Sequence, residues 1–224
     1  TIALMTRRLL GVLLVAVLVS PAPAQALSQA GFAAELSAQL SHARHPFLQH
    51  GDLARERAAL DSAYRQRAYA PLWLDANGEL TAQAGAVLEA LRSANELGLD
   101  AAVYEATTIA HAAAAARDDA SSASVDLAVA VMAVRFATNL HFGRVDPATA
   151  GFYMPKRSAI DVPQLLARLS AAADPRAELA RLEPPFEHYR LLKSALATYR
   201  GLAAQQRVLL PPLPAKAVKP GEEY

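Results

Sequence analysis

The chain has 224 residues and no cysteine, and its 22 basic side chains are nearly balanced by 21 acidic ones. Within these residues the missing thiols exclude disulfides, cysteine nucleophiles and cysteine-ligated zinc. The small net charge argues against a nucleic-acid-binding protein, which would carry a basic excess on one face. Hydrophobic residues make up 53% of the chain, enough for a core, although many of them are alanines that bury little area.

The first 26 residues have the order of a secretory signal peptide. A short basic segment, Met5–Arg8, precedes the unbroken apolar run Leu9–Val19, and two sites of small residues follow. This run is shorter than the roughly 20 residues of a membrane-spanning helix, although an uncleaved membrane anchor remains the alternative. The pattern predicts export to the periplasm, cleavage after Ala26 with Leu27 as the new N-terminus (or Gln25 as second choice), and contact with the membrane only during export.

Residues 27–51 are predicted to form a short helix and a loop that lead into the main domain, residues 52–210. Asp52 is expected to cap the first helix of that domain, which should end near Tyr69. A turn follows at Asp75–Gly78, where the Asn-Gly pair can supply a positive φ.

The next predicted helix starts after Thr81 and ends at Gly98, in the left-handed conformation common just past helix ends. Asp100 is expected to start a further helix that runs through Tyr104 into the alanine run at 112–116. The polar segment 117–124 is predicted to be an exposed loop.

The most hydrophobic segment after residue 26 is Val125–Phe142, which is apolar on nearly all sides at helical spacing. Such a helix is typical of the centre of a protein core. Because the segment contains Asp126, Arg135 and Asn139, a membrane span is not favoured. Gly143 is expected to terminate it in the left-handed conformation.

Three aspartates then stand beside an early helical proline, a favoured way to start a helix; they are Asp146, Asp161 and Asp174. The last helix is predicted to open at Pro184-Pro185, with apolar residues at helical spacing to Ala203. Residues 211–224 are rich in proline and are predicted to be a linker to a further domain. No strand-like alternation is evident, so the predicted fold class is all-α: an irregular multi-helix domain behind a signal peptide.

The standard catalytic motifs, such as a nucleophile elbow or a phosphate-binding loop, do not occur. His42, His45 and His50 are close enough in sequence to suggest a metal site, but Pro46 interrupts them and no acid completes the set; exposed loop histidines are the preferred interpretation. His141 is interpreted as a favourable partner of a helix C-terminus. We therefore predict no catalytic residue, no metal site and no cofactor.

Three other groups of side chains admit a functional and a structural interpretation. The acidic pairs Glu35/Asp52 and Asp118/Asp119 are interpreted as caps and solvated loops. Four arginines could form a basic strip but are interpreted as a solvated face: Arg55, Arg57, Arg65 and Arg67. Four aromatic residues could stack on sugar rings, although the preferred interpretation makes the tryptophan a core anchor: Tyr69, Trp73, Phe152 and Tyr153.

Four segments in order carry a family resemblance. They are Tyr64–Asp75 (YRQRAYAPLWLD), Leu88–Asp100 (LEALRSANELGLD), Arg135–Pro147 (RFATNLHFGRVDP) and Leu182–Leu192 (LEPPFEHYRLL). Together they resemble the scaffold domain of large periplasmic L,D-transpeptidases, the enzymes that cross-link murein, over about residues 52–210.

The resemblance implies a peptidoglycan-binding module and a catalytic domain with a cysteine nucleophile beyond the scaffold. No residue here matches those catalytic positions, so none is carried over. The chain is therefore expected to be non-catalytic, either because the sequence is truncated or because the gene is split. Its expected partner is the missing catalytic domain, and peptidoglycan is a second candidate. Two alternatives stay open: an independent periplasmic helical adaptor, and an unrecognised peptidoglycan hydrolase.

Overall fold

The structure, a computed structural model, describes residues 27–145, 147–151, 153 and 158–205. Its regular elements are helical, which confirms the all-α prediction. The α-helices of these residues are α1 Gln29–Ser41, α2 Arg57–Arg65, α3 Ala82–Arg92, α4 Ala106–Ala115, α5 Asp119–Phe142, α6 Val162–Ala171, α7 Pro175–Ala180 and α8 Glu187–Ala204. Short 3₁₀ helices span Ala94–Leu97, Ala101–Tyr104 and Pro147–Ala150. The predicted signal peptide and the segment 211–224 lie outside the described residues.

Helix α5 lies at the centre of the core, as predicted. Every residue from Ser122 to Val134 is buried, and α1, α3, α4 and α6 pack around the helix. The lead-in helix α1 belongs to the same core, since Phe32 and Leu36 are fully buried. The prediction of an exposed loop at 117–124 is wrong, because α5 begins at Asp119. Asp118 caps it by accepting the N–H of Ser121, whose hydroxyl returns a bond to the Asp118 backbone N–H.

The start of α2 also differs from the prediction. The helix begins at Arg57, five residues after Asp52. The Asp52 carboxylate instead accepts the N–H of Ala54 at 2.9 Å, in a local turn, and its backbone forms an antiparallel bridge with Arg44. Aspartate side chains compete with the helix for backbone N–H groups in this way, and here the turn prevails.

The single helix predicted from Asp100 is interrupted. Asp100 caps the short 3₁₀ helix Ala101–Tyr104, and Glu105 then takes a left-handed conformation, with φ +49°, before α4 starts. Upstream, Thr81 caps α3 as predicted. Gly98 is left-handed as predicted, with φ +76°, but it closes a 3₁₀ helix rather than α3 itself.

The caps of the last third of the chain follow the sequence closely. Asp161 accepts the N–H of Gln164 and starts α6, and Asp174 caps α7. The third predicted cap, Asp146, lies outside the described residues. Helix α8 begins at Glu187, two residues after the Pro184-Pro185 pair, and its N-cap position provides no side-chain hydrogen bond.

By length and composition, α5 would be able to cross a membrane. Its most apolar 18-residue window has a mean hydropathy of 1.4, and 83% of that window is buried inside the protein. A core helix passes the same test, and the packing of α5 is that of a core helix.

Gly143 follows α5 with φ +84° and ψ 167°, a combination that is nearly exclusive to glycine. Positive φ is as predicted, although ψ lies outside the left-handed helical region. We expect Gly143→Val to destabilise the protein by about 1–3 kcal/mol through backbone strain. Packing would contribute little, since an added Cβ meets only the Val145 carbonyl at 3.9 Å.

Urea unfolding measures the change, and Gly201→Val is the matched control. Gly201 lies in α8 and has open space around an added Cβ, so the control should change the unfolding free energy by no more than about 0.5 kcal/mol. Equal effects of the two substitutions would refute the strain at Gly143.

Candidate functional site

The three clustered histidines have separate environments. His42 is exposed at the end of α1, and His50 is exposed with its Nδ1 3.2 Å from the Glu105 carboxylate. His45 is buried, which corrects the prediction of an exposed loop histidine. Within the described part of the chain, no three potential metal-ligating side chains are grouped for a metal ion.

His45 attaches the loop after α1 to the central helix. Its Nε2 donates to the Ser124 carbonyl at 2.8 Å, while Nδ1 lies 3.4 Å from the backbone nitrogens of Phe47 and Leu48. Burial lowers the pKa of His45 to about 4, against the smaller raising effect of the bond to Ser124. The imidazole is therefore neutral at physiological pH and has a structural role.

The other polar candidates are structural as well. Asp118 and Asp119 act at helix starts: Asp119 accepts the N–H of Ser28 at 3.1 Å. Glu35 and Asp52 are exposed and lie on separate elements. His141, near the end of α5, has its Nε2 3.1 Å from the Ser158 carbonyl. The four arginines of the predicted strip are all exposed, in agreement with a solvated face; they are Arg55, Arg57, Arg65 and Arg67.

The aromatic residues do not form a shared platform in the described part of the chain. Trp73 is fully buried in the core, which confirms its interpretation as an anchor. Tyr69 is half-buried and donates to the Asp61 carboxylate at 2.8 Å, while Tyr153 is 95% exposed. Phe152 lies outside the described residues.

No pattern in the sequence indicated one buried carboxylate, that of Asp126, which joins α5 to α2 and to the segment 70–74. Asp126 of α5 is fully buried and accepts the Tyr64 hydroxyl at 2.6 Å, the Leu72 N–H at 3.1 Å and the Trp73 N–H at 2.7 Å. Burial raises the pKa of Asp126 to about 6, although these hydrogen bonds act in the opposite direction. Because Asp126 is fully buried, its role is structural: its carboxylate holds the 70–74 segment against α5.

The most unusual surface of the molecule is α8, which has 18 residues and buries none of them. Its inner side rests on the protein through Tyr189, Lys193 and Leu196, which are partly buried. Lys193 forms an ion pair with the Glu183 carboxylate at 2.6 Å. Burial, reinforced by the negative charge of Glu183, raises the pKa of Tyr189 to about 12.

The opposite side of α8 is apolar and faces solvent. We call it the α8 apolar face; with the residue before the helix, its exposed fractions are Phe186 50%, Leu191 60%, Leu192 68%, Tyr199 71% and Leu202 54%. Leu192 and Tyr199 are seven positions apart, Tyr199 and Leu202 three, and Leu191 and Leu202 about three turns, so these four share one face of the helix. Phe186 lies beside the start of that helix. A contiguous apolar stripe of this kind marks an interaction surface.

The fold and this surface define an all-α domain that carries an exposed apolar helix face. The chain belongs to the scaffold-domain family, whose model matches residues 58–196. That range runs from the second residue of α2 into the middle of α8, so it covers most of the core, without α1, and the first part of the helix that carries the apolar face. Neither the curated proteins nor the solved structures contain a match to the chain.

Proposed function

We propose that this chain is the non-catalytic scaffold region of a periplasmic peptidoglycan L,D-transpeptidase. Family membership supports the scaffold role in general, and the four ordered segments that resemble such enzymes support the narrower assignment. A signal peptide cleaved near Ala26 would deliver the domain to the periplasm, where its substrate polymer lies.

The observation that carries the proposal is the α8 apolar face. Burying the exposed leucine and tyrosine side chains of this face would stabilise the protein by about 25 cal/mol for each Å² of apolar surface removed from water. Helices in proteins also gain most of their stability from the packing of an apolar face. We propose that the catalytic portion of the same enzyme covers this face, and that α8 thereby positions the catalytic portion on the scaffold.

The test begins with the DNA downstream of codon 224, which should continue in frame into a domain with a catalytic cysteine. That full-length protein is then compared with the 224-residue chain in a murein cross-linking assay. The chain alone should form no cross-links, because acyl transfer through a thioester needs an activated thiolate. Cross-link formation by the chain alone would overturn the proposal.

The role of α8 is tested in the full-length protein with Leu191→Glu combined with Leu202→Glu. Two buried, unpaired carboxylates would oppose docking, so cross-linking should fall at least about tenfold. Val145→Glu is the control, since Val145 is 69% exposed and lies outside α8; it should leave the rate unchanged. An unaffected rate in the α8 variant would refute the docking role.

One further candidate is favoured by the same face: an independent periplasmic adaptor that binds a separate protein through α8. It predicts a genuine stop codon after Tyr224 and no cross-linking in any form of the protein. The downstream DNA therefore separates the two candidates before any variant is made.

A further inference from the structure

An open cleft of about 570 Å³ lies between the loop 44–56 and the outer surface of α5. It shares no lining residue with the α8 apolar face. A volume of this size suits a small ligand, since pockets of roughly 300–1,000 Å³ hold compact molecules.

The loop that walls the cleft is fixed to α5 by one arginine. Arg135 donates from Nε to the Glu56 carboxylate at 3.0 Å and from Nη2 to the same carboxylate at 3.2 Å. It also donates to the backbone carbonyls of His50 and Asp52. Because this ion pair is only about 15% exposed on either side, the wall is held in one arrangement before any ligand arrives.

A second carboxylate fixes the tip of the same loop. Glu105 accepts the backbone N–H groups of Gln49 and His50, each at 2.9 Å. These bonds lower the pKa of Glu105, although desolvation acts against them. The backbone at Glu105 is left-handed, with φ +49°, a conformation that is strained for a residue other than glycine. This strain accompanies the position of the carboxylate at the loop. Strain retained beside a cleft is consistent with a preorganised site.

The floor of the cleft combines apolar and polar groups. Val103, Val134 and Val162 supply apolar surface. Asn139 donates through Nδ2 to the Tyr104 hydroxyl at 2.9 Å, which orients the amide. Among the described residues its side-chain oxygen and the Thr138 hydroxyl have no hydrogen-bond partner, so both can serve a ligand.

The mouth of the cleft carries the charge that selects a ligand. Glu56 already neutralises Arg135, whereas Arg44 and Arg55 line the cleft, are exposed and have no ion-pair partner in the described part of the chain. The Asp52 carboxylate is engaged with the Ala54 N–H at 2.9 Å. A hydrogen bond from a neutral N–H leaves the Asp52 charge in place, so the lining carries three arginines against two carboxylates, Asp52 and Glu56. This excess of positive charge suits a ligand with carboxylates, because guanidinium groups form paired, charge-assisted hydrogen bonds with them.

We infer that this cleft binds a short peptide that carries free carboxylates, with Arg44 and Arg55 on the carboxylates and Thr138 and Asn139 on the peptide backbone. The stem peptide of peptidoglycan is the natural member of this class, and that identification rests on the proposed function. The cleft itself would then hold a substrate strand on the scaffold while the chemistry takes place elsewhere.

The test is titration of the purified chain by calorimetry and by ¹H–¹⁵N NMR at low salt. Two probes are used, a stem tetrapeptide with free carboxylates and the ordinary tripeptide Ala-Glu-Ala, both with acetylated amino groups. Each is compared with the form whose carboxylates are also amidated, which is neutral. We expect the charged probes to bind, with shifts at Thr138 and Asn139, and the neutral forms to bind at least about tenfold more weakly. Affinity should also fall as salt screens the arginines.

Arg44→Gln combined with Arg55→Gln should weaken binding of the charged probes at least about tenfold. This lower bound is the effect of losing a single charge-assisted hydrogen bond. Arg190→Gln combined with Arg200→Gln is the matched control: it changes the net charge equally, on exposed α8 residues outside the cleft. It should bind as the parent does.

No binding of either charged probe, equal binding of the neutral forms, or equal losses in the two double variants would each overturn the inference. Binding of the tripeptide without the stem peptide would support the carboxylate site and refute the stem-peptide identification. If the cleft binds no probe but the full-length protein forms cross-links, the inference fails and the proposed function stands. The failure of one can therefore be told apart from the failure of the other.

Discussion

Replacing Asp126 with alanine is expected to destabilise the protein by about 3–5 kcal/mol. The substitution leaves the N–H groups of Leu72 and Trp73 buried without their acceptor, while the Tyr64 hydroxyl keeps only the backbone carbonyl of residue 126, at 3.2 Å. Each orphaned buried donor costs about 1–3 kcal/mol, and partial relaxation or water entry reduces the sum. Urea unfolding followed by circular dichroism measures the change.

Tyr64→Phe is the control for this effect. It removes one donor and keeps the carboxylate bonded to the two backbone N–H groups, so it should cost only about 1 kcal/mol. If Asp126→Ala costs no more than Tyr64→Phe, the carboxylate does not hold the 70–74 segment on α5.

Asp126 also predicts a pH dependence. Its pKa rises from 3.8 to about 6 on folding, so its contribution to stability falls as pH rises through that window. The pKa of His45 falls from 6.5 to about 4 on folding, so its contribution falls as pH decreases through that window. Between pH 4 and 6 the two slopes oppose each other.

Asp126→Asn removes one of these slopes. The unfolding free energy of the variant should therefore decrease more steeply from pH 6 to pH 4 than that of the parent chain. Urea midpoints at pH 4, 5, 6 and 7 give the comparison. Parallel profiles would show that Asp126 does not titrate in this range in the folded protein.

Phe136→Ala is expected to cost about 3–5 kcal/mol, the usual range for a buried phenylalanine that leaves a cavity. Phe136 lies on α5 with 1% of its surface exposed, and its ring meets that of Tyr104 edge to face at a centroid distance of 5.3 Å. The same urea experiment provides the measurement.

Phe142→Ala is the matched control on the same helix. Phe142 is 41% exposed, and its ring contact with His141 is at the surface. Its removal should cost no more than about 1 kcal/mol. Similar losses at both positions would contradict the assignment of Phe136 to the core.

Features encoded by neighbouring residues were predictable. The caps at Thr81, Asp161 and Asp174 depend on a side chain that reaches an N–H two or three residues later. The central position of α5 follows from apolar side chains on nearly all of its faces. In each case the physical cause lies within a few turns of one helix.

The errors occurred where a distant partner competes with the local preference. Asp52 was expected to cap α2, but the loop it belongs to is held by Arg135, which is 83 residues away. Glu105 interrupts a predicted helix because its carboxylate meets Gln49 and His50, more than 50 residues earlier.

Helical spacing in the last helix predicted one apolar stripe, formed by Tyr189, Leu192, Leu196, Tyr199 and Ala203. In the structure Tyr189 and Leu196 are partly buried while Leu192 and Tyr199 are exposed, since spacing cannot say which side of a helix another element covers.

The amino-acid sequence by itself determined the helical class, the central helix, most caps and the resemblance to scaffold domains, because periodicity, capping and motif order are local properties of the chain. Only the tertiary structure decided that Asp126 is a buried fastener, that Arg135 builds one wall of a cleft, and that the α8 apolar face stays open. Each of those outcomes depends on which side chains meet across long separations in the chain. Burial and hydrogen-bond geometry at those meetings set the pKa values, the charge of the cleft and the surface left for a partner.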